Sequence, residues 1–507
     1  MFKNLSISGV LACLQKPLHR RGLWAKESPL LKINVNERGK VLSTTKMPKG
    51  VFYIVGNEAA ERFSYYGMRG ILVIFMTKYL MSSAGQGDGM TDAQAMVWYH
   101  NFASAVYFFP LFGALLSDIF WGKFKTILVL SGVYCLGHLS LAFMDIHFMT
   151  AILEPRTWLA IGLGLIAVGS GGIKPCVSAH VGDQFDATKK SLLDKVFSLF
   201  YFSINFGSMF ATLLIPKMLE WYGPAVAFGL PGVLMFIATL IFYQGRHEFV
   251  SMPPAGWAVY KKDMFSKEGL RTLGSLGVIY AFIAFFWALY DQTGSSWILQ
   301  SKNLDRMVDL GFYSFELLPS QIQTINPILV MLFIPLFTFG IYPLVGKFIK
   351  VTPLRKIGAG FFVTGAAFAI VAYTEQLIQS GQTPSMLWQF FAYTVITAAE
   401  VLISITALEF SYAQAPNSMK SFIMAVFLLS VSMGNLFTSA VNAFIQNPDG
   451  TSALQGASYY WFFTALIVAV GALFAVASSF YKEKTYLQDH SQAEEHWDPL
   501  ANINKDA

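Results

Sequence analysis

The chain has 507 residues, of which 54% are hydrophobic and only 13% charged, against about 25% charged in an average soluble protein. That composition excludes a soluble globular domain, whose core has no room for so much apolar side chain. A formal net charge of +6 could mark an acidic partner, but in a membrane chain the placement of Lys and Arg carries the information, and no nucleic-acid partner is expected.

In chain order, residues 1–49 form a basic tail in which Lys3, Lys16, Arg20, Arg21 and Lys26 precede the first acid, Glu27. Two readings apply: a mitochondrial-type presequence, or a cytoplasmic tail lying on anionic lipid. Apolar runs then predict twelve helices, centred near Ile71, Tyr107, Val133, Ile166, Phe206, Met235, Phe285, Val330, Ala366, Val401, Leu429 and Ile467. Segments 126–144, 222–244, 321–345 and 421–446 hold no Lys, Arg, Asp or Glu, and each exceeds or approaches the roughly 20 apolar residues that span a bilayer. A first six-helix bundle covers 50–244, a linker 245–270, a second bundle 271–482 and an acidic tail 483–507. The expected fold is all-α and polytopic, with about twelve transmembrane helices in two halves.

Setting both termini in the cytoplasm puts on that side every Lys and Arg except Lys78, Arg156, Lys217, Lys302 and Arg306, and three inside spans. The positive-inside rule selects this orientation. The connections are too short to house a soluble catalytic or ligand-binding domain, so the work must be done inside the bundle. Division into six and six suits a major facilitator arrangement with its site between the halves, although no sequence repeat accompanies it. Cys13, Cys135 and Cys176 are far apart and form no framework.

The three cations inside spans are Arg62, Arg69 and Lys174. A charge at mid-bilayer costs about 2.5–3.5 kcal/mol on insertion scales and usually faces a partner or a water-filled path. In the first helix Glu58, Glu61, Arg62, Tyr65, Tyr66 and Arg69 fall within an arc of about 140° at 100° per residue, which makes one inward-facing polar stripe. Pairing at i,i+4 can account for Glu58 with Arg62 but not for Arg69. Lys174 follows a glycine-rich run that lacks phosphate-loop spacing; the glycines read as close helix packing, and Pro175 as a kink or break aiming Lys174 inward. The second half supplies acids: Asp291, Glu400 and Glu409. Glu400 shares a face with Ser404, whereas Glu409 lies nearer the cytoplasmic end. Asp118, in a cytoplasmic turn with Lys123 and Lys125, is expected to hold helix ends together. Opposite charges from two halves facing one space suit a zwitterion with separated amine and carboxylate.

At these residues the chain resembles the proton-dependent oligopeptide transporter family of the major facilitator superfamily. The likeness rests on E-x-x-E-R-F-S-Y-Y-G at 58–67, G-S-G-G-I-K-P at 169–175, F-Y-F-S-I-N at 200–205, F-W-A-L-Y-D-Q at 286–292, I-N-P at 325–327 and E-F-S-Y-A-Q-A-P-N-S-M-K-S at 409–421. It implies proton-coupled symport of di- and tripeptides by alternating access, with protons as coupling ion and no cofactor. Glu58, Glu61 and Arg62 would couple protons; Arg62, Arg69 and Lys174 would face the peptide carboxylate; Glu400, with Asn205 and Asn326, would receive the amine. Tyr65, Tyr66, Tyr107, Trp287 and Ser404 would line the pockets. Arg69–Asp291 would form an extracellular gate, and Lys174–Glu400 a pair broken in the inward cycle. The resemblance also implies a multi-pass protein of the plasma membrane, or the inner membrane of a bacterium, functional as a monomer. Where some members carry two adjacent acids in the seventh helix, this chain has Tyr290 and Asp291.

Other classes fit less well. The strongest rival is a relative carrying nitrate, histidine or another small solute; Lys174, Asn205 and Glu400 together favour peptides, because a lone anion would not need an acid for an amine. An enzyme lacks support, since there is no HExxH or credible His/Cys metal set, and a receptor would need neither the carboxylate cluster nor the gate pairs.

Overall fold

The computed structural model describes residues 47–185, 192–250, 252–254, 256–257, 261, 266–309, 311–414, 420–447 and 452–481. Both readings of the N-terminal tail, and the acidic tail with Asp489, Glu494 and Glu495, fall outside them.

The first half comprises α1 (Gly50–Ile74), α2 (Asp92–Leu115), α3 (Lys123–Phe143), α4 (Pro155–Asp183), α5 (Leu193–Tyr222) and α6 (Pro224–Gln244). The second comprises α7 (Lys267–Tyr290), α8 (Ile325–Leu336), α9 (Pro353–Gln379), α10 (Leu387–Glu400), α11 (Lys420–Phe444) and α12 (Ala457–Ser479). Among the described residues, eleven of these, with their flanking turns, are long and apolar enough to cross a bilayer. The other is α1, with 25 residues, whose four charges lower its apolarity and whose charged face is buried in protein. The chain is therefore a multi-pass membrane protein.

Local chemistry sets the helix boundaries. Thr91 caps α2 through a reciprocal bond with Gln94, Ser266 caps α7, and Pro155, Pro224 and Pro353 occupy first-turn positions where no N–H is needed. Ser266 starts α7 a few residues ahead of the predicted bundle boundary at 271. Gly223, at φ 80°, is a one-residue joint between α5 and α6, and Gly122, at φ 74°, separates α3 from the π-helical turn Leu116–Trp121 that continues α2, a backbone state that Cβ disfavours. The α1–α2 connection is pinned to the head of α4 by Arg156, which grips Asp88 at 2.6 and 2.8 Å. Ser83 donates twice to Glu154, which holds that carboxyl below the usual glutamate range.

Both halves repeat one packing scheme. In the first, α1 packs on α5 and α6, α2 on α4, and α3 on α4 and α6; in the second, six helices later, α7 packs on α11 and α12, α8 on α10, and α9 on α10 and α12. The halves meet through α2–α11 and α5–α8, two contacts that the same six-helix shift exchanges. The internal repeat invisible in the sequence is thus present in the packing.

Glycines bring α2, α3 and α4 together as expected. A Cβ on Gly169 would lie 2.7 Å from Tyr134, one on Gly137 2.8 Å from Gly162 O, and one on Gly172 would overlap Leu130. The expected break at Pro175 is absent: α4 runs unbroken from Pro155 to Asp183. Pro175 removes the N–H that Gly171 O would have bonded, and α2 packs so closely there that a Cβ on Gly113 would clash with that oxygen.

The linker starts as part of the first half. Gln184 exchanges two bonds with the Val250 backbone, at 2.9 and 3.2 Å, while Phe249 packs among Phe124, His180 and Phe242. Among the described residues the Asp118 carboxylate forms no ion pair, so the close tie between helix ends is made elsewhere. Because α3 packs along α4, Lys123 at the head of α3 meets Asp183 at the tail of α4, 2.7 Å away; Lys125 lies over Trp121, and Asp118 offers its backbone oxygen to Gly256 N.

Gly113→Ala should lower the melting temperature of the detergent-solubilised protein, with overpacking costing about 1–3 kcal/mol, because its Cβ would strike backbone. Gly132→Ala, whose Cβ meets nothing within 4 Å, should leave it unchanged or higher.

Candidate functional site

The α1 stripe faces inward. Glu58, Glu61, Arg62, Tyr65 and Arg69 are all buried. Arg62 Nε donates to Glu58 Oε1 at 2.7 Å and lies 3.0 Å from Glu61 Oε2, so two carboxylates share one guanidinium. The Ser64 hydroxyl bonds the Glu61 backbone oxygen and the Tyr134 hydroxyl, fixing this turn of α1 against α3.

One turn beyond Tyr65, Arg69 Nη2 meets Asp291 Oδ1 at 2.5 Å, joining the two halves at the end of α7. Asp291 Oδ2 accepts from Asn435 Nδ2 at 2.5 Å. That bond orients the Asn435 amide, so its Oδ1 accepts from His100 Nδ1 at 2.8 Å, and His100 Nε2 meets Ser295 Oγ at 2.9 Å. The guanidinium also lies over the Tyr99 ring, 5.2 Å from its centroid. Further bonds join the halves toward this end: Thr212–Thr324, Gln321 to Leu213 O, Gln323 to Gly70 O and Lys302–Asp92. The bundle is closed at the end that carries the α1–α2 connection.

Sequence reasoning did not single out Asn435, His100 or Tyr99. The available signal was a neutral polar residue in an otherwise apolar run, as for Asn435 within 421–446.

Toward the middle, residues from both halves are only partly buried: Tyr66, Tyr107 and Lys174 on one side, Trp287, Tyr290, Asn326, Glu400 and Ser404 on the other. Lys174 Nζ has no hydrogen-bond acceptor; it lies 4.1 Å from the Tyr65 ring centroid and 4.5 Å from that of Tyr107. Glu400 Oε2 accepts from the Tyr290 hydroxyl at 2.8 Å and from Asn326 Nδ2 at 2.9 Å. The Lys174–Glu400 pair is therefore not formed in this structure, since two ring faces hold the cation and two neutral donors hold the carboxylate.

Two other expected neighbours make no hydrogen bond with Glu400 among the described residues. Asn205 bonds the Tyr201 backbone oxygen of its own helix. Ser404 lies in a π-helical turn, Val401–Ile405, which begins directly after Glu400; the wider turn breaks the i,i+4 register, and among the described residues no hydrogen bond links the two. Trp287 packs edge-on against Tyr290, with its indole nitrogen buried and unbonded. Glu409 makes no ion pair among the described residues. No cluster of metal-ligating side chains occurs among them either.

The POT family model matches residues 124–266 and 258–462. The chain belongs to the POT family. This POT-family chain is 36% identical over 378 residues to solute carrier family 15 member 2 of Danio rerio, covering 67% of this chain and 51% of that protein. It is 34% identical over 393 residues to peptide transporter 3 of Caenorhabditis elegans, covering 67% and 52%. The chain thus spans about half the length of the curated relatives it matches. Among solved structures, an auto-inhibited POT family peptide transporter superposes with a TM-score of 0.77 at 32% identity, covering 87% of this chain and 99% of that one. The six-plus-six packing is accordingly the major facilitator fold.

Asp291→Ala should cost about 3–5 kcal/mol, because it leaves Arg69 buried without its counter-charge. Replacing both partners, Arg69→Met with Asp291→Leu, should recover most of that loss, and melting curves in detergent distinguish the two outcomes.

Proposed function

We propose that this chain is a proton-coupled symporter of di- and tripeptides, working by alternating access as a monomer in the plasma membrane with both termini in the cytoplasm. The observation that carries this reading is the residue of uncompensated charge in the middle of the bundle. Arg62 is shared by Glu58 and Glu61, and Arg69 is matched by Asp291. Among the described residues Lys174 makes no ion pair or hydrogen bond, and Glu400 is bonded only by neutral donors, on opposite halves. A short peptide brings one carboxylate and one ammonium, and each would add a charge-assisted bond to the neutral contacts already present.

On this reading Lys174 and Arg62 face the substrate carboxylate, Glu400 with Asn326 receives the amine, and Tyr65, Tyr66, Tyr107, Asn205, Trp287 and Ser404 line the space between. Glu58, Glu61 and Arg62 form the proton-coupling group, because a guanidinium shared by two acids leaves the pair free to take up a proton as contacts change. Arg69–Asp291 acts as the extracellular gate, closed here. Substrate binding biases the two states through contacts that differ between them. The relatives named as peptide transporters support this assignment.

Purified protein in liposomes should accumulate a labelled dipeptide when protons are driven inward, and an uncoupler should abolish the accumulation. Accumulation without a proton gradient, or one that requires Na⁺, would overturn the coupling assignment; uptake of nitrate or histidine but not dipeptide would reassign the substrate. Glu61→Gln should lose concentrative uptake while retaining peptide exchange.

Glu400→Gln should weaken dialanine by roughly 10-fold to 150-fold, the loss of about 1.5–3 kcal/mol in a charge-assisted contact. It should affect a dipeptide with a blocked amine far less, as measured by binding to the purified protein.

A further inference from the structure

Resting on the peptide reading, we infer that Tyr290 is a positioning residue for amine recognition: its hydroxyl, bonded to Glu400 Oε2, holds the carboxylate so that Oε1 is presented to the substrate ammonium. Glu400 could otherwise turn about its side-chain torsions and meet an incoming cation with either oxygen. Here Oε2 is occupied twice, by Tyr290 at 2.8 Å and by Asn326 at 2.9 Å, while Oε1 accepts no bond among the described residues and is not among the buried atoms without a partner.

Both donors are themselves fixed. Asn326 Nδ2 also meets Thr397 Oγ1 at 3.1 Å, one turn before Glu400 on α10. The Tyr290 ring lies 5.5 Å from Phe286 and 5.4 Å from Trp287, perpendicular to the latter, so its hydroxyl is aimed by aromatic packing. A free oxygen on a carboxylate held from behind is an acceptor shaped for an N–H cation, and one that is already desolvated in part. Holding it still lowers the ordering cost of binding.

The placement of Tyr290 adds a second consequence. It is the last residue of α7, and the next residue is Asp291, which meets Arg69. The group that orients the amine acceptor and the group that closes the bundle are consecutive on one backbone. Motion of the α7 end that parts Arg69 from Asp291 therefore also shifts the donor behind Glu400, and acceptor geometry differs between the open and closed states.

Tyr290→Phe removes one oxygen and keeps the ring contacts, so the fold should persist, with a melting temperature close to that of the unaltered protein. The affinity of purified protein for dialanine should fall about 5-fold, equivalent to one net hydrogen bond, whereas N-acetyl-dialanine should be unaffected. In a Glu400→Gln background the same substitution should add little.

An equal loss for both peptides, no loss for dialanine, or a full 5-fold loss on top of Glu400→Gln would overturn the assignment of Tyr290. Those results would leave the peptide reading standing if the unaltered protein takes up dialanine. Failure of the unaltered protein to take up or bind dialanine would instead remove the peptide reading and this inference together. If Tyr290→Phe does lower the melting temperature, Tyr290→Trp, which keeps an N–H donor on an aromatic ring, should restore part of the preference for the free amine; a variant without that recovery counts against positioning by a donor.

Discussion

The Arg69–Asp291 ion pair ties the first helix of one half to the first helix of the other. Two charges removed from bulk water attract strongly but also lose their hydration, so such a pair persists only where further bonds satisfy the remaining donors and acceptors. Asn435, His100, Ser295 and the Tyr99 ring supply that environment, and they come from α2, α11 and the turn that follows α7. The pair therefore recruits groups from both halves around it. Opening this end means dismantling a network rather than one bond, which favours a two-position response over a graded one.

With that pair closed, one guanidinium, Arg62, serves two acids, so the α1 cluster holds one more acid than cation. Lys174 and Glu400 make their close contacts with neutral groups, which stabilise a charge without cancelling it. A protein interior tolerates this because aromatic faces and fixed hydroxyl or amide dipoles lower the desolvation cost. On the proposed reading, a pocket built this way would discriminate against substrates that lack one of the two charges, since they leave a buried group uncompensated.

Partition cost made much of this legible beforehand. The charge-free runs marked the spans, and Glu58, Glu61, Arg62, Arg69, Lys174, Asp291 and Glu400 stood out because charged residues are rarely placed in a bilayer without a reason. Neutral polar residues carry little such cost, which is why Asn435, His100 and the hydroxyl of Tyr290 stayed inconspicuous although they hold the charged groups in place. Partner choice was also hidden. Lys123 meets Asp183, sixty positions away, rather than the nearby Asp118, and the carbonyl freed by Pro175 is packed against Gly113 from another helix. The twofold repeat of packing left no trace in residue identity because each contact needs matched size and apolarity, not particular side chains.

The exchange of α2–α11 with α5–α8 under that repeat has a mechanical consequence. The span Asp92–Trp121, which contains α2, has 30 residues, or about 45 Å at 1.5 Å per residue. As a rigid lever pivoting at its midpoint, it would move each tip by about 4 Å for a tilt of about 10°. That displacement exceeds the tolerance of a hydrogen bond yet is smaller than the width of an extended peptide. On the proposed alternating-access reading the outer bonds would therefore break early in the stroke, before the passage is as wide as a peptide.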